Sequence, residues 1–234
     1  RQIPNIFSAT PHSAIPLLRS LAGVLLFCFI SSAVYLINDL LDIEADRQHP
    51  EKKNRPIASG KLPVGAAITA ALVLAVVSLG SAYLLSPGFF LILSAYFLTN
   101  LLYSKWLKHV PLIDVLFIAL GFVLRVASGV SLIQVERFSP WLYVVTTLLA
   151  LYIGFGKRRA ELSMLAHTEG ATRRVLNGYT LGLLDQLITI VSATTIVAYS
   201  LYTFSAPNLP ENHSMMLTIP FVLYGIFRYL YLIQ

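Results

Sequence analysis

Long runs of apolar residues recur through this chain of 234 residues. They cover residues 15–37, 62–85, 88–103, 110–133, 141–155, 181–204 and 215–233. A helix needs about 20 mostly apolar residues to cross a bilayer, and backbone groups in lipid must be hydrogen-bonded within the protein. The alternation typical of membrane β-strands is weak here. We therefore predict an all-α, polytopic membrane helix bundle.

The close spacing of these runs favours one membrane unit. No low-complexity linker separates them, and hydrophobic residues make up 56% of the chain against 12% for charged residues. We predict a single transmembrane domain over residues 1–234. Because the chain begins at Arg1 rather than Met and ends just after an apolar run, we expect one or both ends to be incomplete. The lone Cys28 allows no intrachain disulfide and no soft-metal cluster.

The basic residues lie mainly in alternate loops between the apolar runs. They are Arg47, Lys52, Lys53, Arg55 and Lys61 in one loop, Lys105 and Lys108 in the next, and Lys157, Arg158, Arg159, Arg173 and Arg174 in the third. Alternate loops share one side of the membrane, and the positive-inside rule makes that side cytoplasmic. We predict a plasma (inner) membrane protein whose polar site faces the cytoplasm. Attraction to anionic lipid alone would explain these cations, but not the aspartates among them.

Three aspartates lie at the cytoplasmic end of the first run. Asp39, Asp42 and Asp46 follow Asn38 at a spacing that places the carboxylates on one helix face. Like charges this close repel each other unless a cation holds them together. Carboxylate oxygens suit Mg²⁺, which also binds through substrate phosphates. Lys53 and Arg55 follow directly and can neutralise further phosphate charge. The pattern predicts a Mg²⁺-pyrophosphate site and no nucleic-acid partner.

Further charges lie inside or at the ends of later runs, where lipid makes them costly and functional by default. Asp114 enters the run over 110–133, and Arg125 lies eleven residues deeper. A structural ion pair between helices is one explanation. The functional alternative has Arg125 meeting a phosphate while Asp114 orients a cation or a ribose hydroxyl.

A mixed cluster ends the run over 141–155, in the stretch GFGKRRAEL. A helix end with snorkelling cations would explain Lys157 and Arg158. Glu161 among these cations favours a role in binding a metal or bracing a lysine. Tyr179 and Asp185 flank the start of the next run, and structural pairing and function are equally good explanations of Asp185.

These motifs resemble a known family. The pattern from Asn38 to Asp46 is similar to the first aspartate-rich motif of the UbiA superfamily of intramembrane prenyltransferases. The second motif of that superfamily, DxxxD, is absent, and Lys157-Arg158-x-x-Glu161 stands in its place. The ordered set VYLINDLLDIEADRQHPEKKNRPIASG, YSKWLKHVPLIDV, LRVASG, GKRRAEL and GYT resembles the decaprenyl-phosphate phosphoribosyltransferase branch. The resemblance covers about residues 31–204.

The resemblance implies a UbiA-type bundle of about eight to nine transmembrane helices. It implies transfer of 5-phosphoribose from 5-phosphoribosyl 1-pyrophosphate to a polyprenyl phosphate, with Mg²⁺ as cofactor and pyrophosphate as product. Metal and pyrophosphate would be held by Asn38, Asp39, Asp42 and Asp46, the three aspartates acting with Lys157 in catalysis. Lys53 and Arg55 would hold donor phosphates, with Lys157 and Arg158 as further phosphate ligands and Glu161 holding the lysine or a ribose hydroxyl. We expect the remaining substrate-binding residues to be Tyr103, Lys108, Asp114, Arg125 and Tyr179.

Two other functions stay open. The chain could move a prenyl group from a prenyl diphosphate to an aromatic acceptor on the same fold, although the missing second motif counts against this. It could also be a lipid-binding or transport protein without catalysis, but paired broken helices in two matching halves are not evident. Small residues such as Ser31, Ser32, Ala33 and 127–129 permit close helix packing, so a homo-oligomer stays open too.

Overall fold

The structure is a computed structural model that describes residues 11–49, 52–132, 139–165, 176, 178–206, 209 and 212–234. Arg173 and Arg174 lie outside this part of the chain. The helices are α1 Pro11–Leu41, α2 Ile43–Gln48, α3 Val64–Leu85, α4 Pro87–Lys105, α5 Ile113–Leu132, α6 Trp141–Leu165, α7 Leu181–Ser205 and α8 Ile219–Ile233. The described residues contain no strand. The all-α prediction is confirmed.

In the part of the chain that the structure describes, six helical segments are long and apolar enough to cross a membrane. They correspond to all of the predicted runs except the one in α6, and the protein is a multi-pass membrane protein. The run predicted to end at Phe155 continues as helix to Leu165, because Lys, Arg, Ala, Glu and Leu are strong helix formers. The run predicted from Val110 begins instead at Ile113, since the preceding Leu112 has a φ of 68°.

The chain divides into two compact units. Unit 1 comprises residues 1–104 and 124–135, and unit 2 comprises residues 105–123 and 136–234. A single domain over residues 1–234 stays a prediction.

Unit 1 is built on the packing of α1 against α3. The buried residues of α3 are small and recur every three or four positions: Ala67, Ala71, Ala75, Ser78 and Ala82. They form one face of the helix. Small side chains let two membrane helices approach closely, so that van der Waals packing stabilises their association where no hydrophobic effect operates. Ile30 and Ala33 are the fully buried residues that α1 contributes to this core.

Unit 2 packs α6 against α7, and α8 contacts both. Tyr152 of α6 donates a 2.6 Å hydrogen bond to the backbone carbonyl of Ile226 in α8. Glycine is required at position 154, because a Cβ there would lie 2.6 Å from Cγ1 of Val115 in α5. The close approach of α6 to the fully buried Val115 therefore depends on a missing side chain.

We expect Gly154→Ala to lower the free energy of unfolding by about 1–3 kcal/mol, the usual cost of overpacking a core. Val115 is β-branched and cannot rotate away easily. The control is Gly225→Ala in α8, where an added Cβ meets nothing within 4 Å. Thermal unfolding in detergent measures both. An unchanged melting temperature in Gly154→Ala would contradict this packing.

Candidate active site

The aspartate-rich segment contains a break between two helices. α1 ends at Leu41, α2 begins at Ile43, and Asp42 between them has φ −98° and ψ 6°. The backbone hydrogen bonds still follow the helical pattern, from Asp42 N to Asn38 O at 3.0 Å and from Asp46 N to Asp42 O at 2.8 Å. Because the repeat continues through the break, the carboxylates before and after it stay on one side.

Arg55 joins the carboxylates on either side of the break. Its Nη1 donates to Oδ1 of Asp39 at 2.7 Å and to Oδ2 of Asp46 at 2.9 Å. The side chain of Asp46 is only 6% exposed, against 26% for Asp39 and 37% for Arg55. From the sequence, Arg55 was predicted to bind phosphate. In the structure its Nη1 donates hydrogen bonds to the two acids.

A turn after α2 positions Arg55. Its backbone carbonyl accepts from Ser59 N at 2.8 Å, and Pro56 O accepts from Leu62 N at 2.9 Å. Arg47 closes the turn from the other side, because its Nε donates to Ala58 O at 3.3 Å. The turn holds the guanidinium over the carboxylates. The side chain of Lys53 is exposed and makes no ion pair with the described residues.

These carboxylates fit Mg²⁺ by their chemistry. The guanidinium is a cation that already bridges Asp39 and Asp46, so a positive charge is accommodated between them. The described residues contain no group of three acidic, His or Cys side chains placed to hold a metal alone. Mg²⁺ needs none, because it commonly keeps waters and binds through one or two carboxylates plus substrate phosphates. Ligation by Asn38 and Asp42, both half-buried, stays a prediction.

A second cluster of charges lies in unit 2 around Asp114, which is fully buried. Its Oδ2 accepts from Nε of Arg158 at 2.6 Å, and its Oδ1 accepts from the hydroxyl of Tyr179 at 2.7 Å. Arg158 also donates from Nη1 to Oε2 of Glu161 at 2.8 Å. Both oxygens of Asp114 are therefore bonded within the protein. It forms the structural ion pair considered above, and its partner is Arg158.

Tyr179 holds the turn before α5. Its hydroxyl accepts a 2.6 Å hydrogen bond from the backbone N–H of Leu112, whose φ of 68° is unusual for a branched side chain. Gly178 is required beside it, since a Cβ would lie 2.2 Å from Cγ of Pro111. Burial, followed by the hydrogen bond to Asp114, raises the pKa of Tyr179 well above its ordinary value. Tyr179 is thus a neutral donor that holds Asp114, and substrate binding by Tyr179 stays a prediction.

Lys157 differs from its neighbour Arg158. Its side chain is exposed and makes no ion pair or hydrogen bond with the described residues. Holding Lys157, one of the roles considered for Glu161, is therefore not seen. Lys157 and Arg158 lie at one end of a cavity of about 210 Å³ whose remaining lining comes from α5 and α6.

Arg125 contacts an aromatic residue that the sequence did not single out. Its Nη2 donates to the Tyr96 hydroxyl at 3.0 Å, and that hydroxyl lies 3.2 Å from Oγ of Ser31. The guanidinium carbon is 5.5 Å from the ring centroid of Tyr96 and 6.0 Å from that of Phe27. The only sequence feature that could have pointed to Tyr96 is that it is a tyrosine within an apolar run. Arg125 binding a phosphate stays a prediction.

The remaining candidates make contacts within the chain. Tyr103 is half-buried near the end of α4, and Lys108 is buried in the turn that follows. Asp185 accepts a 2.6 Å hydrogen bond from Nε of Arg159, which also donates to the backbone carbonyl of Ile233. Structural pairing therefore accounts for Asp185. Its signal in the sequence was the presence of one acid in a long apolar stretch.

Residues 6–234 match the UbiA prenyltransferase family. The chain belongs to this family. It is 37% identical over 180 residues to decaprenyl-phosphate phosphoribosyltransferase of Corynebacterium glutamicum, covering 76% of this chain and 54% of the relative. It is 34% identical over 203 residues to the protein of that name from Mycobacterium tuberculosis, covering 87% of this chain and 67% of the relative. The chain thus spans about half to two thirds of the length of these relatives.

The fold is also that of solved members of the family. A UbiA homolog from Archaeoglobus fulgidus bound to DMAPP and Mg²⁺ superposes with a TM-score of 0.75 at 22% identity, covering 90% of this chain and 75% of that one. The same homolog bound to GPP and Mg²⁺ gives a TM-score of 0.75 at 21% identity. The predicted UbiA-type fold and family are confirmed.

We expect Tyr179→Phe to destabilise the protein by about 1–3 kcal/mol, because it leaves Oδ1 of the buried Asp114 and the Leu112 N–H without their partner. Thermal unfolding in detergent measures the change. Tyr202→Phe in α7 is the matched control, since the Tyr202 hydroxyl makes no hydrogen bond with the described residues. Equal melting temperatures in the two variants would show that Tyr179 does not hold the turn.

Proposed function

We propose that this protein transfers 5-phosphoribose from 5-phosphoribosyl 1-pyrophosphate to a polyprenyl phosphate, with Mg²⁺ as its cofactor. The observation that carries the proposal is the cluster in unit 2. Where a UbiA prenyltransferase would carry its second acidic motif, Arg158 is held by Asp114 and Glu161, and Lys157 has no partner among the described residues. The names of the curated relatives support the same reaction.

The donor binds to unit 1 in this proposal. Asp39 and Asp46, with Asn38 and Asp42, hold the metal-bound pyrophosphate. Arg55 uses only Nη1 for the two carboxylates, so its other guanidinium N–H groups are available to donate to phosphate oxygens. Lys53 is exposed beside them and adds a second positive charge.

The reaction is a displacement at the anomeric carbon of the ribose. An oxygen of the lipid phosphate forms the new C–O bond, and the bond to pyrophosphate breaks with its electron pair leaving on the pyrophosphate oxygen. The lipid phosphate is already ionised, so no general base is needed and positioning supplies much of the rate. When bound, Mg²⁺ neutralises charge on the departing diphosphate. Arg55 and Lys53 stabilise the outer oxygens of that group, and in-line attack inverts the configuration.

We propose further that the protein lies in the plasma (inner) membrane with this site facing the cytoplasm. The segment between α1 and α3 carries Arg47 in α2 and Lys52 and Lys53 just after it, and it is positive, as cytoplasmic segments between spans are. A water-soluble donor such as 5-phosphoribosyl 1-pyrophosphate would reach the site from that side.

The first test is pyrophosphate release by purified protein in detergent. We expect release only when Mg²⁺, 5-phosphoribosyl 1-pyrophosphate and a polyprenyl phosphate are all present, with a lipid-linked phosphoribose detected by mass. Each component is omitted in turn as a control. Release from a prenyl diphosphate with an aromatic acceptor would instead support the prenyltransferase alternative. The Archaeoglobus fulgidus homolog, which was solved with DMAPP and Mg²⁺, is the reason to test it. Failure of both reactions would support a protein without catalysis.

We expect Asp39→Asn and Asp46→Asn each to lower turnover by at least about 100-fold, because each removes a carboxylate from the metal-binding pair. Mg²⁺ should raise the melting temperature of the wild type and should do so less in either variant. Glu44→Gln is the matched control, because Glu44 is 75% exposed and its one ion-pair partner among the described residues is Arg47 at the surface. Near wild-type turnover with an unchanged Mg²⁺ response in both aspartate variants would contradict the metal assignment.

A further inference from the structure

An apolar groove in unit 2 leads away from Lys157. Its cavity of about 210 Å³ is lined on α6 by Leu149, Ala150 and Ile153, and on α5 by Ile118 and Phe122. Positions 146, 149, 150, 153 and 157 recur at helical spacing, so they form one stripe along α6. From residue 146 to residue 157 this stripe is roughly 16 Å long, at about 1.5 Å per residue.

The open charge of this groove belongs to Lys157. Arg158 also lines the cavity, but its charge is offset by the buried Asp114 and by Glu161. Lys157 has no such partner among the described residues. The ammonium of Lys157 is exposed at the end of the apolar cavity, so an anionic group bound there would gain a charge-assisted contact.

We propose that this groove binds the lipid acceptor, with its phosphate on Lys157 and its first isoprene units along the apolar stripe of α6. The site rests on the function proposed above and adds the place where the acceptor binds. Charge complementarity selects the occupant: a lipid phosphate has one anionic end and one apolar chain, as the groove has one ammonium and apolar walls. If the donor bound in this groove, its ribose hydroxyls and phosphates would lie against apolar side chains without hydrogen bonds, which is unfavourable.

Photolabelling tests the site without turnover. The protein is placed in nanodiscs with a polyprenyl monophosphate that carries a diazirine on its second isoprene unit. We expect labelled residues within 146–157 or 118–122, and competition by unlabelled polyprenyl phosphate but not by the uncharged polyprenol. Labelling confined to other helices, or equal competition by the polyprenol, would overturn the proposal. Because no transfer occurs, labelling of the groove supports this site even if pyrophosphate release fails.

Two variants separate the phosphate contact from the apolar wall. Lys157→Ala should raise the half-saturating concentration of the lipid about tenfold, the loss of one charge-assisted contact, while Lys157→Arg retains most of the affinity. Leu149→Trp should block the groove, whereas Leu142→Trp on the same helix is the matched control, since the two leucines are 42% and 44% exposed. Neither Lys157→Ala nor Leu149→Trp should change the binding of 5-phosphoribosyl 1-pyrophosphate.

The donor binding measurement distinguishes the two phosphate sources. Weaker binding of inorganic pyrophosphate to Lys157→Ala, with unchanged binding of the polyprenyl phosphate, would assign Lys157 to the donor and overturn the proposal. Equal lipid affinity in Leu149→Trp and Leu142→Trp would overturn it as well. Thermal unfolding of all four variants identifies any that fail to fold, and the photolabelling of the wild type does not depend on them.

Discussion

The pairing of Asp114 with Arg158 is the interaction on which unit 2 depends. Both groups are buried, at 0% and 5% side-chain exposure, and a charge removed from water is stable only when it is paired and hydrogen-bonded. The Tyr179 hydroxyl donates to the second carboxylate oxygen and accepts a hydrogen bond from the N–H of Leu112, which has a left-handed backbone. One buried carboxylate thus fixes the side chain of Arg158 on α6 and the entry to α5. Lys157, the preceding residue, has no ion-pair partner among the described residues.

In unit 1 the balance of charge is the opposite. There the acids outnumber the cation at the centre, because Asp39 and Asp46 share a single nitrogen of Arg55. Two carboxylates facing one guanidinium keep excess negative charge, which a divalent cation would balance. This is the difference between the two clusters: the Asp39–Asp46 pair attracts a cation, whereas the exposed lysine beside the Asp114–Arg158 pair attracts an anion.

The helices were largely predictable, because bilayer thickness sets their length and long runs of apolar residues mark them in the sequence. The common side of Asp39 and Asp46 was also predictable, since helical spacing survives the break at Asp42. The partners of the charges were not. Tyr179 lies 65 residues from Asp114, and Arg158 lies 44 residues from it, so neither contact leaves a periodic pattern. The extension of α6 to Leu165 was missed for a different reason: hydropathy falls where the charges begin, although those residues favour helix.

The replacement of an acidic motif by Lys157-Arg158-x-x-Glu161 has a physical consequence for the acceptor. An aromatic acceptor is uncharged or nearly so, and a second acidic motif near it can serve a metal on the donor. A phosphate acceptor brings its own negative charge, and additional carboxylates would repel it. In the function proposed here, Asp114 and Glu161 would neutralise Arg158, and the charge of Lys157 would remain for that phosphate. The change of sign in this motif therefore argues for a change of acceptor on an unchanged fold.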